Sequence, residues 1–441
     1  MNISTAQSTV ALYILLALLL VGCQPQPVAL ISTPNLLATS SADLPQIIET
    51  TENTLITAPT PPHGSVPSPI TTPQLAHTPT ELPSPEFVAV TLRQGMPPPD
   101  GAARGWVQLS IEVYQPPKTE PVFRLSNKLF SYNDLAFSPD GCWMAYVEDD
   151  VTDWTGQARV RLISTDWQTD RVLTDWFETA RVYGPWLRDL SWSPDGHWLT
   201  FKRLDWGHAI DETYIIDVQT GELRKLGEAI SFIAWSPQDP TLLAFSISAP
   251  SPDGGVYVAT AKDLDHIRRI GLTFRLHARP GALAWNPAQA TLAMKTCEQT
   301  SWNQTSCELW LVDTTSETKT RHQPTDCGSL SWSPDGHWLA CEAPYSILFL
   351  DTTDWQTIRA RPGDWLDWKG QWWGNTLFVY EKVANIGGST AVSNLSFDLV
   401  AVSVEDPDEW ILWSPRDVGL PERIEGKFSM QGISWHMNTS P

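Results

Sequence analysis

One short string recurs along this chain, and it limits the fold more than any other feature of the sequence. LAFSPDGCWMAYV (135–147) returns as LSWSPDGHWLTF (190–201), IAWSPQDPTLLAF (233–245), LAWNPAQATLAM (283–294) and LSWSPDGHWLA (330–340). A reduced copy, GQWWGNTLFVY, stands at 370–380, and a fragment, GISWHM, at 432–437. The aromatic ahead of each turn marks the units: Phe137, Trp192, Trp235, Trp285, Trp332, Trp372 and Trp435, spaced 40 to 63 residues apart. A unit of that size cannot bury its own apolar faces, so successive copies must pack against one another as a repeat architecture.

Each copy carries the chemistry of a four-stranded sheet. An apolar strand runs into Ser-Pro-Asp-Gly, where Pro presets φ and Gly accepts a positive φ, so the chain reverses tightly into a second strand. A third strand follows, as in VRLIS (160–164), TYIIDV (213–218), GVYVATA (255–261), ELWLVD (308–313) and SILFLD (346–351). A more polar fourth strand, such as DRVLT (170–174), ELRKL (222–226) or QTIRA (356–360), suits an outer edge. Seven anchors but six complete units leave a remainder at each end. FVAVTLR (87–93), WVQLSIEVY (106–114) and PVFRLS (121–126) read as second, third and fourth strands without a first, and GISWHM is a first strand without the rest. The expectation is an all-β propeller over residues 86–441, with seven four-stranded blades and a closing blade shared by both ends of the chain. Six blades with a dispensable tail is the alternative.

With WSPDG intact at 192–196 and 332–336 and third strands of the I-Y-V-x-D type, the repeat resembles the TolB-like, or WD40-like, propeller repeats. Its Gly-His pairs, at 196–197 and 336–337, follow the turn instead of preceding the first strand as in a true WD40 repeat. The resemblance implies a propeller; a propeller does not imply an activity.

Residues 10–21, VALYILLALLLV, are too few to span a bilayer core of roughly 30 Å but suit the apolar region of a signal peptide. The run ends in Leu20-Val21-Gly22-Cys23, which resembles a bacterial lipobox. That resemblance implies a signal peptide over 1–22, a lipidated Cys23 holding the protein to a membrane of the bacterial cell envelope, and an extracytoplasmic location. Gln24 after that cysteine implies the outer membrane where the host has two. No Lys or Arg precedes Arg93. Residues 23–85 are rich in Pro, Thr and Ser, with units such as TAPTPP (57–62), and read as an extended solvated tether.

A net charge of −21 repels phosphate backbones, so nucleic acid is not an expected partner. There is no G-x-S-x-G elbow and no H-E-x-x-H, so no catalytic residue, metal or cofactor is assigned. His197 and His337 hold equivalent repeat positions and read as structural. Glu148, Asp149, Asp150 and Asp153 lack the spacing of a calcium loop and read as a solvated turn. An exported chain can hold disulfides. Cys297 with Cys307, at facing hairpin positions, and Cys327 with Cys341, across the Pro334-Asp335 turn, are the expected pairs, with Cys142 left single in the core.

The tryptophans at 192, 235, 285, 332, 372 and 435 are anchors, those at 143, 198 and 338 recur in second strands, and Trp167 and Trp355 share a TDWQT turn. Five others fall in loops. Trp154, Trp206 and Trp302 fall between second and third strands, Trp176 and Trp186 between blades, and both loop classes lie on the face opposite the SPDG turns. Large aromatics grouped on a face suggest binding. The expectation is a non-enzymatic scaffold for a protein or peptide partner. A glycan-binding propeller is the alternative, and a propeller hydrolase or lactonase acting at the channel mouth a third.

Overall fold

The computed structural model describes residues 84–437, interrupted at 96–106, 127–129, 151–156, 179–185, 206–208, 248–253, 274–277, 302–303, 323–328, 344–345, 363–369, 386–394, 406–408, 419 and 421–427. The stretches expected as signal peptide and, but for residues 84 and 85, as tether fall outside them. The chain enters with β1 (Pro85–Gly95), β2 (Val107–Tyr114) and β3 (Phe123–Leu125). Blade I is β4 (Phe130–Phe137), β5 (Trp143–Asp150), β6 (Gln157–Ser164) and β7 (Asp170–Val172). Blade II is β8 (Trp186–Trp192), β9 (Trp198–Asp205), β10 (Ile210–Asp217) and β11 (Leu223–Glu228). Blade III is β12 (Ile230–Trp235), β13 (Leu242–Ile247), β14 (Gly255–Thr260) and β15 (Asp263–Thr273). Blade IV is β16 (Ala278–Trp285), β17 (Thr291–Ser301), β18 (Gln304–Asp313) and β19 (Lys319–His322). Blade V is β20 (Ser329–Trp332), β21 (Trp338–Ala343), β22 (Ser346–Asp351) and β23 (Thr357–Pro362). Blade VI is β24 (Gly370–Trp373), β25 (Leu377–Asn385), β26 (Leu395–Ser403) and β27 (Glu409–Trp413), and β28 (Phe428–Met437) ends the series.

All seven sheets are four-stranded and antiparallel, and the seventh has the order β28-β1-β2-β3. Val88 pairs with Trp435 and Val90 with Ile433, so both ends of the chain build one blade. The seven-bladed ring with a shared closing blade is therefore the fold, and the six-blade alternative is excluded. First strands of successive blades are neighbours, as β12 is to β16 and β28 to β4, so they surround the axis. Fourth strands form the rim, where Val172, Leu223, Ile267 and Ile411 are exposed.

Seven apolar clusters fill the ring, one between each pair of successive blades. The alternation of side chains along a strand explains this: Ala145 and Val147 of β5 face blade II, while Met144 and Tyr146 face the closing blade. Four of the anchor tryptophans also donate a hydrogen bond across the seam. Nε1 of Trp192 reaches the Ala136 carbonyl at 3.0 Å, Trp285 that of Ala234 at 2.9 Å, Trp332 that of Ala284 at 3.1 Å and Trp372 that of Ser331 at 3.0 Å. Trp235 and Trp435 bury the same nitrogen without a partner. At the seam of Trp235 the equivalent carbonyl, Ser191, accepts from Thr200 Oγ1 at 3.3 Å.

The SPDG turn is a closed hydrogen-bond device. Ser138 Oγ donates to Asp140 Oδ1 at 2.5 Å and accepts from the Trp143 amide at 2.9 Å, while Asp140 Oδ1 also takes the Cys142 amide at 3.0 Å. Ser193, Asp195 and Trp198 repeat this, as do Ser333, Asp335 and Trp338. These aspartates are consumed by their own turns. In the TDWQT turns Trp167 and Trp355 lie at φ 62° and 61° and wedge against the preceding blade. Trp167 stacks on Phe123 at 4.7 Å, and Trp355 meets the His322 ring at a tilt with centroids 3.9 Å apart.

Candidate functional site

Four-stranded blades put two kinds of connection at each end. The turn face carries the SPDG turns and the turns from third to fourth strands; the loop face carries the connections from second to third strands and from blade to blade. Of the five tryptophans assigned to the loop face, Trp154, Trp206 and Trp302 lie outside the described residues. Trp186 is corrected: it is the first residue of β8, paired with Leu204, and not part of a loop. The ladder of β9 continues far enough to recruit it.

Trp176 does lie in the connection between blades I and II, and it is half-buried. The Arg159 guanidinium sits 4.1 Å from its ring centroid and 2.6 Å from Glu148 Oε2. Next to it Phe177 bridges to Ala158 and packs on Phe201 and Tyr214 of blade II. Arg203 covers the Phe177 ring at 5.5 Å and donates to the Glu178 carbonyl at 2.9 Å and to Glu212 at 3.2 Å. Glu212 also accepts from Tyr214 at 2.8 Å and Lys225 at 2.8 Å. Burial alone would raise the Glu212 carboxyl, but bonds from Lys225 and Tyr214 outweigh it and hold the group below its usual range. The outcome is a patch of alternating guanidinium, aromatic and carboxylate groups along the loop-face end of blades I and II.

The acidic run read as a solvated turn is a second correction. Glu148, Asp149 and Asp150 are the last residues of β5, and Glu148 is buried and paired with Arg159 and Arg161. Burial, and then the neighbouring Glu148 charge, pushes the Asp149 carboxyl up to about 8. A group held protonated at neutral pH is a poor calcium ligand. Asp153 lies outside the described residues. Among the described residues no group of three or more His, Cys, Asp and Glu side chains gathers as a metal site.

On the inner strands, Asp134 and Asp189 occupy the same bulge in blades I and II at φ 32° and 59°, a region that aspartate tolerates better than most residues. Asp134 accepts the Leu190 amide at 3.1 Å, which stitches the two bulges together. Asp189 instead approaches the nearly buried Lys202 ammonium at 3.6 Å. His197 and His337 lie on the turn face beside aspartates of that face, 3.5 Å from Asp195 and 3.7 Å from Asp351.

Cys142, Cys307 and Cys341 are disulfide-bonded, and no cysteine among the described residues is free. Cys142 is thus corrected from a single core thiol. The β17–β18 register sets Cys297 opposite Cys307. Cys23 and Cys327 lie outside the described residues.

Arginines of the fourth strands form a clasp that the repeat pattern does not announce. Arg171 donates to the Val218 carbonyl of the next blade at 2.7 Å, Arg224 to that of Ala261, and Arg268 to that of Thr314 at 2.7 Å. The only signal in the sequence is one arginine near the start or middle of each of these outer strands, which by itself reads as solvated edge.

No family model matches the sequence, and no curated protein matches it. Among solved structures the chain is similar to TolB from Acinetobacter baumannii, with 18% identity and a TM-score of 0.36 over 60% of this chain and 61% of that one. It thus spans less than two thirds of that protein. An oligogalacturonate lyase in complex with manganese is similar at 12% identity and a TM-score of 0.44, over 64% of this chain and 81% of that one. The β-propeller domain of the Trilobed protease from Pyrococcus furiosus gives 12%, 0.42, 65% and 84% for the same four quantities.

Proposed function

We propose that this protein is a non-enzymatic scaffold, anchored through a lipid on Cys23, whose loop face captures a protein or peptide partner in the bacterial cell envelope. The observation that carries the reading is the Arg159–Trp176 stack at the loop-face end of blade I. Trp and Arg dominate binding energy at protein interfaces because they give large contact area at low entropic cost. Here the pair is already ordered by Glu148 before any partner arrives, which lowers the cost of binding. The first strand of the ring begins at Pro85, at the turn-face end of the closing blade.

Capture of envelope proteins by the purified full-length chain tests this. Trp176→Ala is expected to weaken capture by more than about 1 kcal/mol. Added salt should weaken it further if the partner is basic, given the net charge of −21. Capture indifferent to Trp176→Ala would remove the support for this face. Cys23→Ser should release the protein from membranes. Non-reducing peptide mapping of the membrane-bound protein should find Cys297 linked to Cys307 and Cys327 to Cys341; a peptide linking Cys23 to another cysteine would overturn the lipid anchor.

A further inference from the structure

A hollow of about 440 Å³ opens on the turn face between blades III and IV. It lies where the repeat departs from its consensus: the turns are Ser236-Pro237-Gln238-Asp239 and Asn286-Pro287-Ala288-Gln289 in place of SPDG. We propose that this hollow binds a single neutral or amino hexose unit. Its volume falls in the range of small-ligand sites.

The lining divides into floor and rim. Trp285, buried and anchored through Nε1, and Leu242 give an apolar floor. Asp239, Gln238, Arg268 and Thr315 are exposed and form a polar rim. An apolar floor ringed by directional polar groups matches a sugar ring, which has an apolar face and a periphery of hydroxyls. An aliphatic side chain in the same place would strip water from the rim and return no hydrogen bonds.

The commitments of the rim groups set the ligand's charge. Arg268 is spent: it binds Glu317 Oε1 at 2.5 Å and the Thr314 carbonyl at 2.7 Å. Asp239 Oδ1 accepts from the amide and hydroxyl of Thr241 at 3.0 and 2.7 Å, which leaves Oδ2 to accept from a ligand. Gln238 Nε2 holds the Pro287 carbonyl at 3.0 Å and leaves Oε1 over. With the Arg268 charge balanced by Glu317, the net charge of the rim is that of Asp239. Such a rim accepts hydrogen bonds from hydroxyls or an ammonium and repels a carboxylated sugar.

Saturation-transfer NMR on the full-length protein tests the assignment, with glucose, galactose, mannose and glucosamine as probes and galacturonate as the anionic control. Transfer is expected to at least one of the four, with galacturonate at least about fivefold weaker, the scale of about 1 kcal/mol. Thr315→Trp, on the exposed rim, should abolish transfer by filling the hollow. Asp239→Asn, which keeps an oxygen for Thr241, should reduce it. Ala290→Arg closes the hollow from its other side and serves if the first variant misfolds. Absence of transfer to all four probes, transfer that survives the filled variants, or galacturonate bound as well as the neutral sugars would overturn the proposal.

Discussion

His436 of β28 lies against the SPDG turn of blade I, and the room around it is set by a missing side chain. Gly141 has φ 68°, and a Cβ there would run into the His436 ring; Gly221 has φ 74° and open space around it. The left-handed conformation alone costs a non-glycine residue about 1–2 kcal/mol. Gly221→Ala should cost about that, and Gly141→Ala distinctly more, by urea denaturation of both variants. The histidine also has a pH signature. Burial holds His436 below its ordinary value, with Glu86 and Asp140, the charged groups facing it, opposing in part. Its folded value lies below the unfolded one, so as pH falls past about 6.5 the unfolded chain takes up the proton first. Stability should be full above that point and decline toward the depressed folded value. His436→Gln should flatten the decline between pH 7 and 5, and an unchanged slope would assign the acid sensitivity elsewhere.

The seams between blades differ in a way that single strands do not reveal. Trp285 bonds the Ala234 carbonyl, whereas Trp235 buries the same nitrogen unbonded. Trp285→Phe should therefore cost about 1 kcal/mol more than Trp235→Phe, which relieves a buried donor, as measured by chemical denaturation. The strands themselves were legible because their signals are local: alternation, a Pro-Asp-Gly reversal and an anchoring aromatic all fall within a dozen residues. Trp186 was misplaced because Gly184-Pro185 just before it resembles loop, while the β9 strand that recruits it lies beyond the turn. Glu148 and Asp149 were misread because charge in sequence signals solvent, and the guanidinium groups that admit Glu148 to the interior come from a different strand. The hollow between blades III and IV was visible only as two imperfect turns. Nothing local says that those turns are neighbours with a clasped arginine beside them.

Closure of the ring rests on β28. Removing Gly432 to Pro441 takes away the residues that pair with β1 from Pro85 to Thr91 and opens edges on both sides of the gap. The deletion should lower the melting temperature of the whole ring in one cooperative transition; an unchanged value would mean that six blades are self-sufficient. Closure by a shared blade could be read from the sequence because it is a matter of counting: three strands without a first at one end and a first strand alone at the other. The same arrangement sets a timetable for biosynthesis. β1 leaves the ribosome more than 300 residues before β28. At roughly 5–20 residues per second, its inner edge waits on the order of 15 to 70 seconds for its partner. During that interval the edge can pair with any other extended chain, and a product cut short anywhere before Phe428 keeps it bare. Incomplete copies therefore differ from finished ones by an exposed strand that chaperones and proteases can recognise.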